Sequence, residues 1–326
     1  MRVGVRRAHW QTDRDSRSEF AKDVQYYLTL RPRQLPSKYL YDALGSALFE
    51  AICELPWYSI TRAEARLLQA HRGEVFRHLK QVSTLAELGP GSGEKLRTLL
   101  QTGSRRAGTL SLHLIDVSAA ALMAASRTLA EVEDVEIVTH ETSFELGLQE
   151  LSRHPPGSMA VLFLGSNIGN FDPPGAQAFL ACIRGALAPG DALLLGADLV
   201  KPERKLLLAY DDPLGVTAAF NRNVLLRINR ELGGNFPVER FDHRAVWNAS
   251  QSRMEMYLVA PRAQRVRIEA AGLDLDLREG EEIWTESSYK YQPEGVIRLV
   301  EDEGFHCVRQ WIDAADAFAL TLFEAL

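Results

Sequence analysis

The sequence predicts an α/β protein with a parallel sheet between helices, a reversed last strand, and a second α+β domain built from two separated segments. Two observations predict the sheet. Short apolar runs alternate with helical patterns, and a glycine-rich turn follows the first run. The second domain is predicted because this alternation stops after Asp198 and resumes only near residue 289.

The turn after the first predicted strand is the most informative stretch of the chain. An apolar run at residues 82–88 leads into Glu87-Leu-Gly-Pro-Gly-Ser-Gly93, and a helical pattern follows at Glu94–Leu100. Glycine permits positive φ and lets a ligand approach the backbone closely. The start of the helix offers unpaired N–H groups. The turn therefore predicts a site for a nucleotide-type cofactor.

The spacing of the glycines narrows the choice of cofactor. A dinucleotide fingerprint requires Gly-x-Gly-x-x-Gly, but Glu94 occupies its last position. The chain also lacks the Gly-x-x-x-x-Gly-Lys-Ser/Thr loop of nucleotide triphosphatases. The remaining pattern, Glu/Asp-x-Gly-x-Gly-x-Gly, resembles the first motif of class I S-adenosylmethionine-dependent methyltransferases, which have a Rossmann-like sheet with a reversed last strand.

The second predicted strand, residues 110–115, ends at an acid, Asp116. Ser118 can cap the helix predicted at residues 119–131. A carboxylate at a strand tip can accept both hydroxyls of a ribose, but the spacing from Gly93 also suits the ribose of NAD. A loop acid favoured by the helix dipole is a further reading of Asp116.

The remaining elements complete one sheet. Strands are predicted at residues 135–138, 159–164 and 191–197, with a helix at 175–187 before the last of them. After the interruption, a helix at residues 294–303 precedes an antiparallel pair at 305–312 and 318–324. Such a reversed last strand is characteristic of the class I methyltransferase sheet.

The interruption predicts the domain organisation. Residues 61–199 and 289–326 form the cofactor-binding core, and residues 1–60 and 200–288 form a substrate-recognition domain, with the active site expected between them. The insertion carries a helical pattern at residues 218–232 and strand patterns at 245–248, 254–259 and 283–287. A helix is predicted from Thr61 towards residue 80, with Thr61 and Glu64 as a capping box.

Composition and charge exclude several functions. The net charge of −6 and the pI of about 5.8 disfavour a nucleic-acid surface. We expect a cytoplasmic protein with no membrane partner, because neither a secretory signal nor an apolar run of spanning length is present. We also expect a monomer. No metal is expected: the cysteines are far apart, and His140-Glu141 lacks the second histidine of His-Glu-x-x-His.

Three further motifs carry a more specific resemblance: Tyr39-Leu-Tyr-Asp-Ala-Leu-Gly-Ser46, Leu162-Phe-Leu-Gly-Ser-Asn-Ile-Gly-Asn-Phe171 and Thr285-Glu-Ser-Ser-Tyr-Lys290. Together with the glycine turn they resemble the histidine-specific Nα-methyltransferase family of ergothioneine biosynthesis, over nearly the whole chain. The resemblance implies conversion of L-histidine to hercynine with three S-adenosylmethionine molecules in sequence.

The resemblance also implies roles for individual residues. Gly165 and Asn170, with Tyr41 nearby, would address the substrate α-amino group, and Asn170 and Tyr41 would be catalytic. Tyr210 would address the carboxylate, Glu286 and Ser288 the imidazole, and Met256 would pack beside it. The implied S-adenosylmethionine residues are Gly89, Gly91, Gly93, Lys95, Asp116, Ser143 and Phe144. Ser143 departs from the family pattern, which commonly has an acid there to meet the adenine.

The proposed chemistry requires an uncharged nitrogen aligned with the methyl group. Positioning supplies up to about 7–11 kcal/mol in such reactions. The side-chain carbonyl of Asn170 can accept one N–H without stabilising an ammonium as a carboxylate would. Taken singly, Asn170 could be a turn residue, Glu286 a solvated strand residue, Met256 core filler and Tyr210 a surface aromatic.

Alternative functions remain open from the sequence. A related N-methyltransferase could act on another amino acid such as tryptophan. A nicotinamide-dependent oxidoreductase would show an absorbance change with NAD(P)H and no methylation. A catalytically silent scaffold would bind a cofactor or partner without turnover.

Overall fold

The computed structural model describes residues 5–10, 13–79, 82–101, 109–151 and 155–326, with side chains from residue 17 onward. They divide into two compact units. The first contains the strand Val5–Trp10, Ser59–Lys201 and Tyr289–Leu326. The second contains residues 13–58 and Pro202–Ser288.

The described residues form strands and helices in a regular alternation over the first unit. The strands are β1 Val5–Trp10, β2 Arg33–Gln34, β3 Thr84–Leu88, β4 Leu110–Asp116, β5 Val135–Glu141, β6 Met159–Phe163, β7 Ala192–Asp198, β8 Asp242–Asn248, β9 Arg253–Val259, β10 Gln264–Ile268, β11 Leu273–Leu277, β12 Glu282–Tyr289, β13 Phe305–Asp313 and β14 Phe318–Ala325. The helices are α1 Asp13–Thr29, α2 Ala43–Glu54, α3 Ile60–His78, α4 Glu94–Leu100, α5 Ala119–Leu129, α6 Phe144–Leu151, α7 Pro173–Ala186, α8 Glu203–Tyr210, α9 Val216–Leu232 and α10 Pro293–Glu301.

The first unit is built on one sheet with the order β1-β5-β4-β3-β6-β7-β14-β13. Its first six strands in that order pair in parallel. Strand β14 runs antiparallel to both of its neighbours, with Leu320 opposite Gly196 on β7 and opposite Trp311 on β13. The predicted α/β sheet with a reversed last strand is confirmed.

The strands at the centre of this sheet are buried on both faces. Every residue of β6 is buried, and so are six of the seven residues of β7. On one face, Leu88, Phe163 and Leu195 join a cluster completed by Phe179 and Ile183 of α7. Continuous apolar strands of this kind suit a parallel sheet covered by helices, because neither face meets water.

One predicted boundary is wrong at the start of the chain. Strand β1 pairs in parallel with β5, with Val5 opposite Ile137, and belongs to the first unit. Residues 1–60 were predicted to lie entirely in the substrate-recognition domain. The prediction failed because an edge strand needs only a backbone partner, and its charged residues gave no buried-strand pattern.

The second unit combines helices with two small sheets. One has the order β2-β12-β9-β8, and the other is the antiparallel hairpin β10-β11. The predicted helix at 218–232 begins two residues earlier, at Val216, and the three predicted strands are present with longer bounds. The hairpin was not predicted, although Leu273–Leu277 alternates leucine with aspartate as a half-buried strand does.

In the part of the chain that the structure describes, no helix has both the length and the apolar character needed to cross a membrane.

Candidate active site

The order of the strands identifies the functional edge of the large sheet. After β3 the chain continues to β4 on one side, whereas β6 pairs with β3 on the other side. Ligands of open α/β sheets bind where the strand order reverses in this way, beyond the carboxyl ends of the strands. Gly89 follows β3 and Gly165 lies just beyond β6, so their two turns occupy this position.

The glycine turn after β3 has the backbone that its sequence predicts. Gly89, Gly91 and Gly93 have φ values of 73°, 53° and 78°. A Cβ atom on Gly93 would lie 2.9 Å from the Cα atom of Ala125 on α5. The third glycine therefore allows close packing of α4 on α5, although it stands one residue earlier than in the dinucleotide fingerprint.

A Cβ atom on Gly89 would lie 3.0 Å from Nδ2 of Asn167 and 3.5 Å from Cζ of Phe144. The Phe144 ring therefore lies against the turn, and it also packs on Phe163 and Phe179. Ser143 accepts a hydrogen bond from the backbone N–H of Leu146 at 3.4 Å. Phe144 is thus positioned beside the turn, whereas Ser143 contacts the first turn of α6.

Asp116 lies at the end of β4, the strand next to β3. Its Oδ1 atom accepts the backbone N–H of Ser118 at 2.8 Å, and Ser118 caps α5 as predicted. Burial raises the pKa of Asp116 to about 6, against the opposing effect of its backbone hydrogen bonds. The Asp116 side chain is half-buried, and it lies at the carboxyl end of β4.

Glu87 lies within β3, two residues before the glycine turn, and is 1% exposed. Among the described residues its Oε2 atom has no hydrogen-bond partner. Burial raises the pKa of Glu87 to about 8, with Lys95 acting in the opposite direction and Glu64 adding to the rise. An acid of this kind carries a proton at neutral pH unless a cation comes close.

Glu64 differs from its predicted role. The cap of α3 is Ser59, which makes no side-chain capping bond, so the predicted capping box at Thr61 and Glu64 is wrong. Glu64 is fully buried, and its Oε2 atom lies 2.7 Å from Nζ of Lys95. Its oxygens also accept the backbone N–H of Gly165, at 2.8 and 3.0 Å. Glu64 therefore links the loop after β6 to α4.

The loop after β6 is held in an unusual backbone conformation. Gly165 and Ser166 both have positive φ, at 76° and 61°. The Ser166 hydroxyl accepts the backbone N–H of Asp198 at 2.9 Å, which offsets the strain of a non-glycine residue in this region. Asn170 ends the 3₁₀ turn of this loop, and its side chain is half-buried.

In the second unit the structure brings two of the expected substrate residues into contact. The Tyr210 hydroxyl donates to Oγ of Ser288 at 2.8 Å, and both residues are buried. Glu286 is two residues from Ser288 on β12 and shares its face, with 9% exposure. Met256 lies on the neighbouring strand β9, where its carbonyl accepts the hydroxyl of Thr285. Tyr210 is therefore not a surface aromatic.

Two residues that the sequence did not indicate hold Tyr210 in place. His243 Nε2 donates to the Tyr210 carbonyl at 2.8 Å, and His243 Nδ1 accepts from Nδ2 of Asn221 at 2.9 Å. These partners assign the proton of the neutral ring to Nε2. Burial lowers the pKa of His243, which favours that neutral form.

Tyr41 belongs to an aromatic chain in the second unit. Its ring centroid lies 5.5 Å from Phe49 and 5.4 Å from Phe220. The chain continues from Phe49 to Tyr58 at 6.1 Å and from Tyr58 to Tyr210 at 6.4 Å, in edge-to-face geometry. Phe49 and Tyr58 were missed from the sequence, because isolated aromatics at this spacing are ordinary core residues.

Two histidines of the large sheet, His113 and His140, have internal partners. His113 contacts Ser111 at 3.0 Å and His140 at 2.9 Å, and His140 contacts Glu150 at 2.9 Å. His113 is half-buried, and both of its ring nitrogens have a partner. Over the described ranges, no group of three or more His, Cys, Asp or Glu side chains is arranged to hold a metal ion.

Comparison with known proteins gives a consistent result. The family model described as histidine-specific methyltransferase, SAM-dependent, matches residues 20–325. The histidine N-alpha-methyltransferase of Mycobacterium tuberculosis is 44% identical, covering 92% of this chain and 93% of that protein. The protein of the same name from Mycolicibacterium smegmatis is 43% identical, covering 94% and 96%.

A more distant relative is the 4-dimethylallyltryptophan N-methyltransferase of Claviceps purpurea, at 26% identity over 85% of this chain and 86% of that protein. From the sequence, Asp116 was compatible with the ribose of either S-adenosylmethionine or NAD. The family match decides for S-adenosylmethionine, because the matched family depends on it. With its glycine turn, strand-tip acid and reversed last strand, the chain belongs to the histidine-specific, S-adenosylmethionine-dependent methyltransferase family.

Proposed function

We propose that this protein transfers methyl groups from S-adenosylmethionine to the α-amino nitrogen of L-histidine, three in succession, and so forms hercynine for ergothioneine biosynthesis. One observation carries the proposal. The chain is 44% identical, almost end to end, to a histidine N-alpha-methyltransferase. The contacts at the carboxyl edge of the large sheet and around Tyr210 support it.

The first unit fits S-adenosylmethionine by its chemistry. The Asp116 carboxylate at the tip of β4 suits the two ribose hydroxyls, and the Phe144 ring beside Gly89 offers a flat apolar face for adenine. Glu87 Oε2, which has no hydrogen-bond partner within the described part of the chain, suits a positively charged ligand. We propose that Gly89, Gly91, Gly93, Lys95, Asp116, Ser143 and Phe144 hold it. When bound, it supplies a methyl group on a positively charged sulfur.

On the acceptor side, Gly165 and Asn170 are proposed to orient the amine. The Gly165 N–H is already taken by Glu64, so Gly165 can address an amine only through its carbonyl oxygen. The Asn170 side chain offers a second neutral acceptor. In the first round, two neutral acceptors can hold the two N–H groups of the amine and leave the lone pair for the methyl carbon, without favouring an ammonium; one N–H remains for the second round and none for the third.

Each round requires the release of a proton, because the nitrogen must be uncharged before it attacks. The α-amine of a peptide N-terminus has a pKa of about 7.7–8.0, and that of a free amino acid is higher because of its neighbouring carboxylate, so most of the free substrate carries this proton near neutral pH. We propose that Tyr41 passes the released proton to solvent through a water. Its ring is fixed between Phe49 and Phe220, which gives the hydroxyl a defined position.

Specificity for histidine is proposed to rest on Glu286 and Ser288, with Met256 packed beside the imidazole and Tyr210 addressing the carboxylate. Glu286 is nearly buried, so its carboxylate can accept a substrate N–H with little competition from water. Sites built on such a polar contact discriminate by about 10⁴–10⁵. The bond from Trp284 Nε1 to the Glu286 carbonyl, 2.9 Å, fixes the backbone at this point.

Mass spectrometry tests the proposal directly. The protein is incubated with S-adenosylmethionine and an equimolar mixture of the free amino acids. The expected result is a gain of one, two and finally three methyl groups on histidine alone, with matching release of S-adenosylhomocysteine. Absence of any methylated histidine would refute the proposal.

A second candidate substrate is tryptophan or a derivative of it, and the Claviceps relative named for such a substrate supports it. The same incubation separates the two, because the mass gain would then fall on tryptophan. The buried carboxylate of Glu286 favours histidine, because an imidazole has a second nitrogen and can carry a positive charge shared between its two nitrogens.

A further inference from the structure

We propose that Glu64 is a positioning residue that holds Lys95, on the donor side, and Gly165, on the acceptor side, in one fixed arrangement. The inference deepens the proposed function and rests on it, because Lys95 and Gly165 are the proposed donor and acceptor contacts. Glu64 itself lies on α3 and would touch neither ligand.

The geometry around Glu64 is that of a clamp. One carboxylate oxygen lies 2.7 Å from the Lys95 ammonium, and both oxygens accept the Gly165 N–H. Lys95 is partly exposed, with 24% of its side chain accessible, whereas Glu64 is fully buried. The buried Glu64 carboxylate thus fixes two groups, the Lys95 ammonium and the Gly165 N–H.

Strand β7 leaves space for this carboxylate at Gly196. A Cβ atom on Gly196 of β7 would lie 2.1 Å from Oε1 of Glu64, which is a severe clash. Gly196 has an ordinary strand backbone, so close approach of Glu64 is the constraint on its side chain. A glycine in a central strand weakens packing because it has no side chain, but at Gly196 the space left free accommodates the buried Glu64 carboxylate.

Stability alone gives a weak reason for this arrangement. A buried ion pair often contributes no more than apolar residues of the same volume, because both charges must leave water. What the pair does provide is geometry. Glu64 holds the Leu164–Gly165 peptide through the Gly165 N–H, next to the Gly165 carbonyl that is the proposed amine contact, and it sets the position of the Lys95 ammonium at the same time.

This geometry matters for an in-line methyl transfer. A displacement of about 1 Å at a reacting group can lower the rate about 100-fold. Because one rigid carboxylate contacts both sides, loosening it would misplace donor and acceptor together. A purely structural acid would instead lower the melting temperature and leave ligand affinity and turnover nearly unchanged.

The test compares Glu64→Gln with Asp191→Asn. Asp191 is equally buried and accepts the backbone N–H groups of Met159 and Ala188 at the opposite, amino ends of β6 and β7. Two quantities are measured: the dissociation constant of S-adenosylhomocysteine by calorimetry, without acceptor, and kcat for histidine at saturating substrates. Melting temperatures of both variants are recorded alongside.

We expect Glu64→Gln to weaken S-adenosylhomocysteine binding about tenfold and to lower kcat by about 10- to 100-fold, since it keeps an acceptor for Gly165 but loses the charge that holds Lys95. Asp191→Asn should lower the melting temperature at least as much as Glu64→Gln does. It should keep the S-adenosylhomocysteine dissociation constant and kcat within about threefold of the wild-type values. Values for Glu64→Gln within threefold of wild type, or equal losses in Asp191→Asn, would overturn the proposal.

Lys95→Met provides a second test in a partly exposed side chain. If Glu64 acts through Lys95, the double variant Glu64→Gln/Lys95→Met should bind S-adenosylhomocysteine within about twofold of Lys95→Met alone. Independent, multiplied losses would contradict the clamp. If wild type fails to methylate histidine, the proposed function fails, and the calorimetric comparison still decides the role of Glu64.

Discussion

Glu87 offers the sharpest test of the electrostatics described above. Its substitution by glutamine keeps the shape of the side chain and removes its titration. Burial raises the pKa of this carboxyl from 4.5 to about 8 in the folded protein. The folded state therefore keeps a proton that the unfolded chain releases between these two pH values, so this group's contribution to stability falls as the pH rises.

The size of the effect follows from the pKa. At about 1.36 kcal/mol per pKa unit, the wild type loses at most about 5 kcal/mol of unfolding free energy through Glu87 between pH 4.5 and pH 8. The variant Glu87→Gln loses none of it. Since 1 kcal/mol shifts the melting temperature of a protein of this size by about 2 °C, the advantage of the variant should grow by up to about 10 °C.

The assay is the difference in melting temperature between Glu87→Gln and wild type, without ligand, at pH 5, 7 and 8.5. Glu133→Gln, which alters an exposed acid in the same unit, is the control and should show a constant difference. A Glu87→Gln difference that is the same at pH 5 and pH 8.5 would refute the assignment of a protonated, buried carboxyl.

Three further predictions concern the proposed ligand contacts. Glu286→Ala should lower kcat/KM for histidine at least about 100-fold relative to tryptophan and leave S-adenosylhomocysteine affinity intact; an unchanged ratio, measured by competition, would contradict the imidazole role. Asp116→Asn should weaken the binding of S-adenosylmethionine about tenfold at pH 8. Because the pKa of Asp116 is raised to about 6, wild-type affinity should fall as the pH drops through 6 and the variant's should not, which calorimetry can check. Tyr210→Phe removes the donor to Ser288 and should raise the KM for histidine about tenfold with little change in donor affinity; an unchanged KM would exclude a carboxylate contact.

The central sheet could be predicted because its strands carry their own signal. The apolar runs of β6 and β7 and the glycines after β3 were located within one or two residues. Strand β5 was predicted too short, at residues 135–138, because Thr139 and His140 are polar. His140 is nevertheless buried, since His113 and Glu150 satisfy both of its ring nitrogens.

Contacts between distant residues could not be predicted in the same way. Glu64 three residues after Thr61 spells a local capping box, but its actual partner is Gly165, 101 positions along the chain. The same holds for His243, whose bond to the Tyr210 carbonyl depends on how β8 packs beside α8. Such roles depend on tertiary geometry, which periodicity and local spacing do not contain.

The parallel pairing of β1 with β5 has a practical consequence for handling the protein. Removing the first ten residues would leave the backbone N–H and C=O groups of residues 137–141 that face β1 without their neighbour. An uncovered strand of this kind is a template for self-association. A variant shortened in this way would therefore expose a sheet edge that promotes self-association. This edge, β5, lies next to β4, the strand that carries Asp116.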